Sequence, residues 1–139
     1  MSKVVTVIQG NIRPGFHEVL HAVQQFSDAV VLSTWRGEQH MVPEGRFELV
    51  LSDPPIQRGI SNRNMQRVST VAGLKRAQEI GADFVLKWRT DLLPTNITKK
   101  SLLSFVLHKV PQDVPSRLML SPFRSAAISP DWFSSFPDL

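Results

Sequence analysis

The chain has 139 residues, of which 42% are apolar and 20% charged, a balance typical of one globular domain and not of a disordered chain. It has no cysteine, which excludes disulfides and thiolate metal sites, and no run of 18 apolar residues that would suit a membrane span. The net charge of +4 favours polyanions such as nucleic acid, lipid headgroups or phosphorylated small molecules, although the dispersed basic residues also suit an ordinary solvated surface.

The beginning of the chain predicts a strand, a helix and a second strand. Residues 4–8 are β-branched and almost all apolar, which is typical of a strand covered on both faces, and residues 9–11 form a turn signal. From Pro14 to Phe26, apolar residues recur with helical spacing, and residues 29–32 are a second apolar run. This order indicates a βαβ unit with parallel strands.

A third strand and a long helix are predicted next. A polar loop over residues 36–46 leads to a strand at residues 47–51, which a pair of prolines ends. The helix stops at Gly81, which suits the left-handed position after a helix. Its start has three candidate caps: Ser61, Asn62 and Asn64. Helical spacing predicts a buried apolar stripe made of Met65, Val68, Ala72, Ile80 and either Val71 or Leu74.

The remaining pattern completes an α/β fold. It contains a fourth strand at residues 84–86, a third helix with Thr95, Asn96 or Thr98 as its cap, a fifth strand at residues 117–120 and a helix start at residues 129–131. We expect a mainly parallel, Rossmann-like sheet with helices on both faces. We also expect residues 1–139 to form a single domain that is incomplete at its C-terminus, because the last helix has no room to finish.

Polar residues gather at the predicted carboxyl ends of the strands, where open α/β sheets bind ligands. Gln9 and Gly10 follow the first strand, Trp35 follows the second, and the charged residues of "VLKWRTDLLP" end the fourth. Polar turns at strand ends explain part of this pattern, and Trp35 also suits simple loop packing. Asp91 has three interpretations: a ligand of a divalent cation that a diphosphate also binds, a partner of Arg89 on the same side of the strand, or an aspartate that simply ends the strand.

The segment "SNRNMQRVST" opens the long helix with amides, hydroxyls and two arginines. A helix N-terminus offers free N–H groups and partial positive charge, which favour phosphate. Arg63 and Arg67 are four residues apart and share a face. Capping together with a solvated face is the alternative explanation. The chain has no P-loop and no GxGxxG after its first strand.

Four motifs occur in order: "VIQGNI", "LSTWRGE", "NRNMQRVSTVAGL" and "LKWRTDL". Together they resemble the WavE-type lipopolysaccharide-synthesis proteins, a family of sugar transferases related to the GT-A fold. The resemblance covers residues 4–93. It implies a GT-A-like domain that binds a nucleoside diphosphate sugar and transfers the sugar to a saccharide or lipid-linked acceptor.

The resemblance also implies roles for individual residues. Asp91 takes the position of the acidic motif that holds a divalent metal, manganese or magnesium, against the diphosphate. Lys87 and Arg89 would balance phosphate charge. The other residues implied to bind the nucleotide sugar are Gln9, Gly10, Asn62, Asn64, Gln66 and Arg67. Arg89 stands where this motif usually has its first aspartate, so the metal requirement stays open. No general base is assigned, and both inverting and retaining mechanisms stay open.

These observations predict a glycosyltransferase-like protein of lipopolysaccharide or surface-polysaccharide synthesis. A sugar-phosphate nucleotidyltransferase is the second hypothesis, although "QGNIRPG" has only part of the glycine-rich basic loop expected there. A non-catalytic basic module that binds nucleic acid or a partner protein is the third; the leading hypothesis expects no nucleic acid. Without cysteines or a signal-peptide pattern, we expect a cytoplasmic protein, with peripheral association at the inner face of the membrane left open.

Overall fold

The computed structural model describes residues 3–94, 96–109 and 118–120. Its strands are β1 (Val4–Gln9), β2 (Ala29–Trp35), β3 (Glu48–Ser52), β4 (Phe84–Arg89) and β5 (Leu118–Leu120). Its helices are α1 (Phe16–Gln24), α2 (Arg63–Glu79) and α3 (Lys99–Lys109), with short 3-10 helices at Arg36–Met41 and Ile60–Asn62. The helix start predicted at residues 129–131 lies outside the described residues.

The five strands form one parallel sheet in the order β3-β2-β1-β4-β5. The chain leaves β1 toward β2 on one side and leaves β4 toward β5 on the other. The connections that follow these two neighbouring strands therefore diverge, which creates a topological switch point at their carboxyl ends. The predicted α/β fold, a parallel Rossmann-like sheet with helices on both faces, is confirmed.

One face of the sheet carries the larger apolar core. Side chains of β1, β2 and β4 pack there against α1, and Leu102 of α3 joins the same cluster. Trp88 is its largest fully buried residue, and its ring meets Phe26 edge to face with centroids 6.2 Å apart. Asp28 ties α3 to the amino edge of the sheet, since its carboxylate accepts the Val4 N–H and pairs with Lys99, both at 2.7 Å. The hydrogen bond from Lys99, and next that from Val4, lower the pKa of Asp28.

The opposite face is covered by α2, which packs through small residues. Its buried residues are Ser69, Thr70, Gly73 and Ala77. The apolar stripe predicted for this helix is confirmed only in its second half, where Leu74 and Ile80 pack against the sheet. Met65, Val68 and Ala72 are partly buried outside that cluster, and Val71 is 44% exposed. The physical reason is the close approach of helix and sheet around Gly73, which leaves room only for small side chains there.

The start of α2 also differs from the sequence prediction, because no side chain caps it. Ser61 and Asn62 take left-handed backbone angles, with φ of 53° and 60°. The Asn64 amide instead donates to the Gln57 carbonyl at 3.0 Å. At α3 one of the three candidate caps is confirmed, since Thr98 Oγ1 accepts the Ser101 N–H at 3.1 Å. Among the described residues, no helix is both long and apolar enough to cross a membrane.

Gly73 should be the least replaceable residue of α2. A Cβ placed there would collide with Val7 Cγ1 and lie 3.2 Å from Ser33 Cβ. Overpacking costs about 1–3 kcal/mol and should exceed the gain of about 1 kcal/mol in helix propensity. Gly73→Ala should therefore reduce the free energy of unfolding, measured by urea denaturation. Gly37→Ala is the matched control, since a Cβ there meets no atom within 4 Å. Equal stability of the two variants would contradict the close packing.

Candidate functional site

A row of polar side chains crosses the carboxyl ends of three neighbouring strands. Ser33 of β2 is the register partner of Gln9 in β1, and Gln9 is the register partner of Arg89 in β4. Strand alternation places all three on the α2 face, as it does Val7, which meets Gly73. Ser33 and Gln9 are buried, whereas the Arg89 side chain is 42% exposed. The row therefore opens to solvent at the switch point between β1 and β4.

The buried part of the row is fixed by Ser69 of α2. Its hydroxyl donates to Gln9 Oε1 at 2.8 Å, and its carbonyl accepts the Ser33 hydroxyl at 2.6 Å. Gln66 precedes Ser69 by one turn on the same side of the helix and is partly buried. The first turns of α2 thus lie at the carboxyl edge of the sheet, beside Gln9. These contacts give the Gln9 amide a defined orientation.

Arg89 and Asp91 form a two-point ion pair at the open end of the row. The Asp91 oxygens accept hydrogen bonds from Arg89 at 2.9 and 2.8 Å. The structure therefore shows the local pair that the sequence left as an alternative for Asp91. Throughout residues 3–94 and the other described segments, no three histidine or acidic side chains cluster as a metal site. One carboxylate held by an arginine does not fit a protein-held divalent cation unless a substrate supplies most ligands. The metal role of Asp91 stays a prediction.

The loop after β1 is braced from the side of β2. The Thr34 hydroxyl lies 2.9 Å from the Gly10 carbonyl oxygen and 2.9 Å from Glu38 Oε2. The same Glu38 oxygen accepts the Ile12 N–H at 2.8 Å. Glu38 lies in the Arg36–Met41 helix, which the sequence predicted as loop. That segment therefore holds the backbone beside the switch point.

The same loop is also braced at Asn11, from both sides. Trp35 Nε1 donates to Asn11 Oδ1 at 2.6 Å, while the Thr90 hydroxyl donates to the Asn11 carbonyl. Trp35 is buried, so its role is the loop packing that the sequence left open. Gly10 has φ of 121°, and a Cβ there would lie 3.4 Å from Thr90 Oγ1, so this position requires glycine. The carboxyl ends of β1, β2 and β4 thus interlock around one short loop.

The remaining predicted site residues lie at different depths. Lys87 is buried on the α2 face of β4, in register with Val7. Asn62 and Arg67 are exposed, and neither forms a hydrogen bond to the row within the described segments. Asn64 stabilises its own loop through Gln57. The structure therefore brings Gln9, Gly10, Arg89 and Asp91 together, with Lys87 deeper on the same strand.

Five residues of the site were not singled out from the sequence: Asn11, Thr34, Glu38, Ser69 and Thr90. All five lie inside the motifs quoted above, so their polarity next to apolar strands was the available signal. Their partners lie up to 79 residues away, as with Thr90 and Asn11. Local spacing does not reveal such distant pairs.

The segment that leads into α2 and forms most of it is basic in sequence. From residue 54 to residue 78 the chain has five lysines and arginines and no acidic residue. The fold and the row define an α/β protein with a hydrogen-bonded polar cluster at its switch point, the place where open α/β sheets bind ligands. Comparisons with protein-family models, curated proteins and solved structures found no match.

Two buried threonines allow a test of the loop brace. The Thr90 hydroxyl makes a hydrogen bond, whereas Thr70 Oγ1 is buried with no partner among the described residues. Thr90→Val should therefore cost about 1 kcal/mol of unfolding free energy and speed hydrogen exchange at the amides of residues 10–12. Thr70→Val should change stability by less than about 0.5 kcal/mol or increase it. Unchanged exchange in Thr90→Val would show that the loop does not depend on this hydrogen bond.

Proposed function

We propose that the protein binds a nucleoside diphosphate sugar at the switch point and acts as a glycosyltransferase in lipopolysaccharide or surface-polysaccharide synthesis. The observation that carries this proposal is the register row from Gln9 to Arg89, next to the N-terminal turns of α2. The ordered motifs that resemble the WavE-type family, over residues 4–93, support it further. The cytoplasm is the proposed location, in line with a chain free of cysteine.

Charge complementarity supports a diphosphate as the part of the ligand nearest β4. Arg89 presents a planar guanidinium, which suits two oxygens of a phosphate as it suits the two oxygens of Asp91. Arg67 is exposed one turn after the start of α2, where the helix dipole also favours phosphate. The orientation of Gln9, fixed by Ser69, gives a defined hydrogen-bonding group for the polar part of the nucleoside.

These groups would act on the leaving group of the transfer. In the reaction the bond from the anomeric carbon to the phosphate oxygen breaks, its electron pair goes to the diphosphate, and an acceptor oxygen forms the new bond. Arg89, with Lys87 behind it, would stabilise the negative charge that develops on the diphosphate. The acceptor must lose its proton to a base, and none of the residues described above is assigned to that step. A divalent cation on Asp91 would add positive charge at the same place.

The proposal predicts specific binding that depends on Arg89. We expect one member of a panel of UDP-, GDP-, ADP- and CMP-linked sugars to bind the 139-residue chain in calorimetric titrations with and without manganese. Arg89→Gln should weaken that binding by about 10-fold or more, because a charged hydrogen bond to phosphate is lost. The matched control is Arg36→Gln, since Arg36 pairs with Asp53 at 2.9 Å and is also exposed at this edge of the sheet. The control should bind within about twofold of the unchanged protein, because exposed pairs contribute little.

Other results would favour the two alternatives. Binding of a nucleoside triphosphate together with a sugar phosphate would indicate a nucleotidyltransferase. Salt-sensitive binding of DNA or RNA, with no response to any sugar nucleotide, would indicate a non-catalytic basic module. Either result would overturn the glycosyltransferase proposal, as would equal weakening by Arg89→Gln and Arg36→Gln.

A further inference from the structure

The loop between β3 and α2 exposes two isoleucines. Ile56 is fully exposed and Ile60 is 88% exposed, whereas the other exposed large apolar residues of the described segments range from 40% to 55%. Isoleucine is among the residues most often buried in proteins. Two isoleucines four positions apart in one loop, both almost entirely in solvent, therefore need an explanation. We call residues 53–63 the isoleucine loop.

The isoleucine loop is held in place by its own hydrogen bonds. The Asn64 side chain donates to the Gln57 carbonyl at 3.0 Å, and the Asn64 N–H donates to the Arg58 carbonyl at 2.9 Å. Gly59 has φ of 76°, and the Asn64 side chain and N–H fill the space beside it. The backbone between the two isoleucines is thus closed into a turn against the start of α2. The two isoleucines are therefore exposed by a loop conformation that hydrogen bonds stabilise.

The charges around the two isoleucines have one sign. Arg58 lies between them, Arg63 follows three residues after Ile60, and both arginines are exposed. Along the sequence, the nearest acidic residues are Asp53 at the beginning of the loop and Glu79 at the end of α2. Asp53 is already paired with Arg36 at 2.9 Å. The isoleucine loop therefore combines two apolar side chains with an uncompensated positive charge.

We propose that the isoleucine loop docks on the surface of an anionic lipid bilayer. Ile56 and Ile60 enter the boundary between headgroups and acyl chains, while Arg58 and Arg63 contact lipid phosphates. This combination of aliphatic and basic groups fits a lipid surface better than a nucleic acid, because single-stranded nucleic acids are bound by stacking on aromatic rings and residues 53–67 have none. Docking would turn the carboxyl edge of the sheet toward the bilayer. It depends on the loop alone and does not require the proposed transferase activity.

Co-sedimentation with lipid vesicles tests this docking surface. The protein should bind vesicles of phosphatidylcholine mixed with phosphatidylglycerol and bind pure phosphatidylcholine at least about 10-fold more weakly. The double variant Ile56→Ser/Ile60→Ser should bind the mixed vesicles about 10-fold or more weakly than the unchanged protein does. The double variant Arg58→Gln/Arg63→Gln should bind the mixed vesicles more weakly by a similar factor, and its binding should no longer depend on salt concentration. Circular dichroism and thermal melts of each variant establish that it is folded.

Two matched variants control for general loss of apolar or positive surface. Val71→Ser removes an apolar residue that is 44% exposed on α2, and Arg46→Gln removes an exposed arginine that precedes β3, at the opposite end of the sheet. Both should bind the mixed vesicles within about twofold of the unchanged protein. The proposal would be overturned if the protein did not bind the mixed vesicles, or if it bound only an RNA or DNA oligonucleotide. It would also be overturned if the Ile56→Ser/Ile60→Ser variant bound the mixed vesicles normally. Sugar-nucleotide titrations without vesicles report on the transferase proposal separately, so the two failures are distinguishable.

Discussion

The site depends on the close packing of α2 against the middle of the sheet. Gly73 leaves no space between the helix backbone and Val7, and this proximity brings Ser69 within hydrogen-bond distance of both Gln9 and Ser33. A larger residue at position 73 would lift the helix, and each ångström of displacement would break hydrogen bonds whose partners are buried. A steric constraint in the core therefore sets the geometry of polar groups at the sheet edge.

A second constraint acts on the loop that follows β1. Hydrogen bonds from β2 and β4 converge on its backbone, through Thr34 on one side and Thr90 on the other. Residues that look like ligand-binding candidates in the sequence, above all Trp35, are used to hold this loop. Rigid support of this kind keeps the polar groups at the switch point, Arg89 and Asp91 among them, close to one arrangement. It also explains why polar residues are so frequent at these strand ends.

The sequence predicted the parts of the molecule that local patterns determine. Apolar runs located the strands, and the order of strands and helices indicated a parallel sheet with its polar residues at one edge. It failed for the first half of α2, because the close approach of helix and sheet there decides which side chains are buried. Helical spacing of apolar residues favoured Val68 and Val71, whereas Ser69 and Gly73 are the residues that fit. The hydrogen bonds of the site join residues distant in sequence, and only the folded chain brings them together.

The proposed function requires a sugar nucleotide to bind at the switch point, where the carboxyl ends of β1 and β4 meet. An NMR titration of ¹⁵N-labelled protein with the sugar nucleotide that binds in calorimetry tests it most directly, since every backbone amide reports its own surroundings. We expect the largest shift changes at Gly10, Asn11, Arg89 and Thr90, with smaller changes in the first turns of α2. Changes confined to the amino edge of the sheet, near Asp28 and Lys99, or to the outer surface of α1, would contradict it.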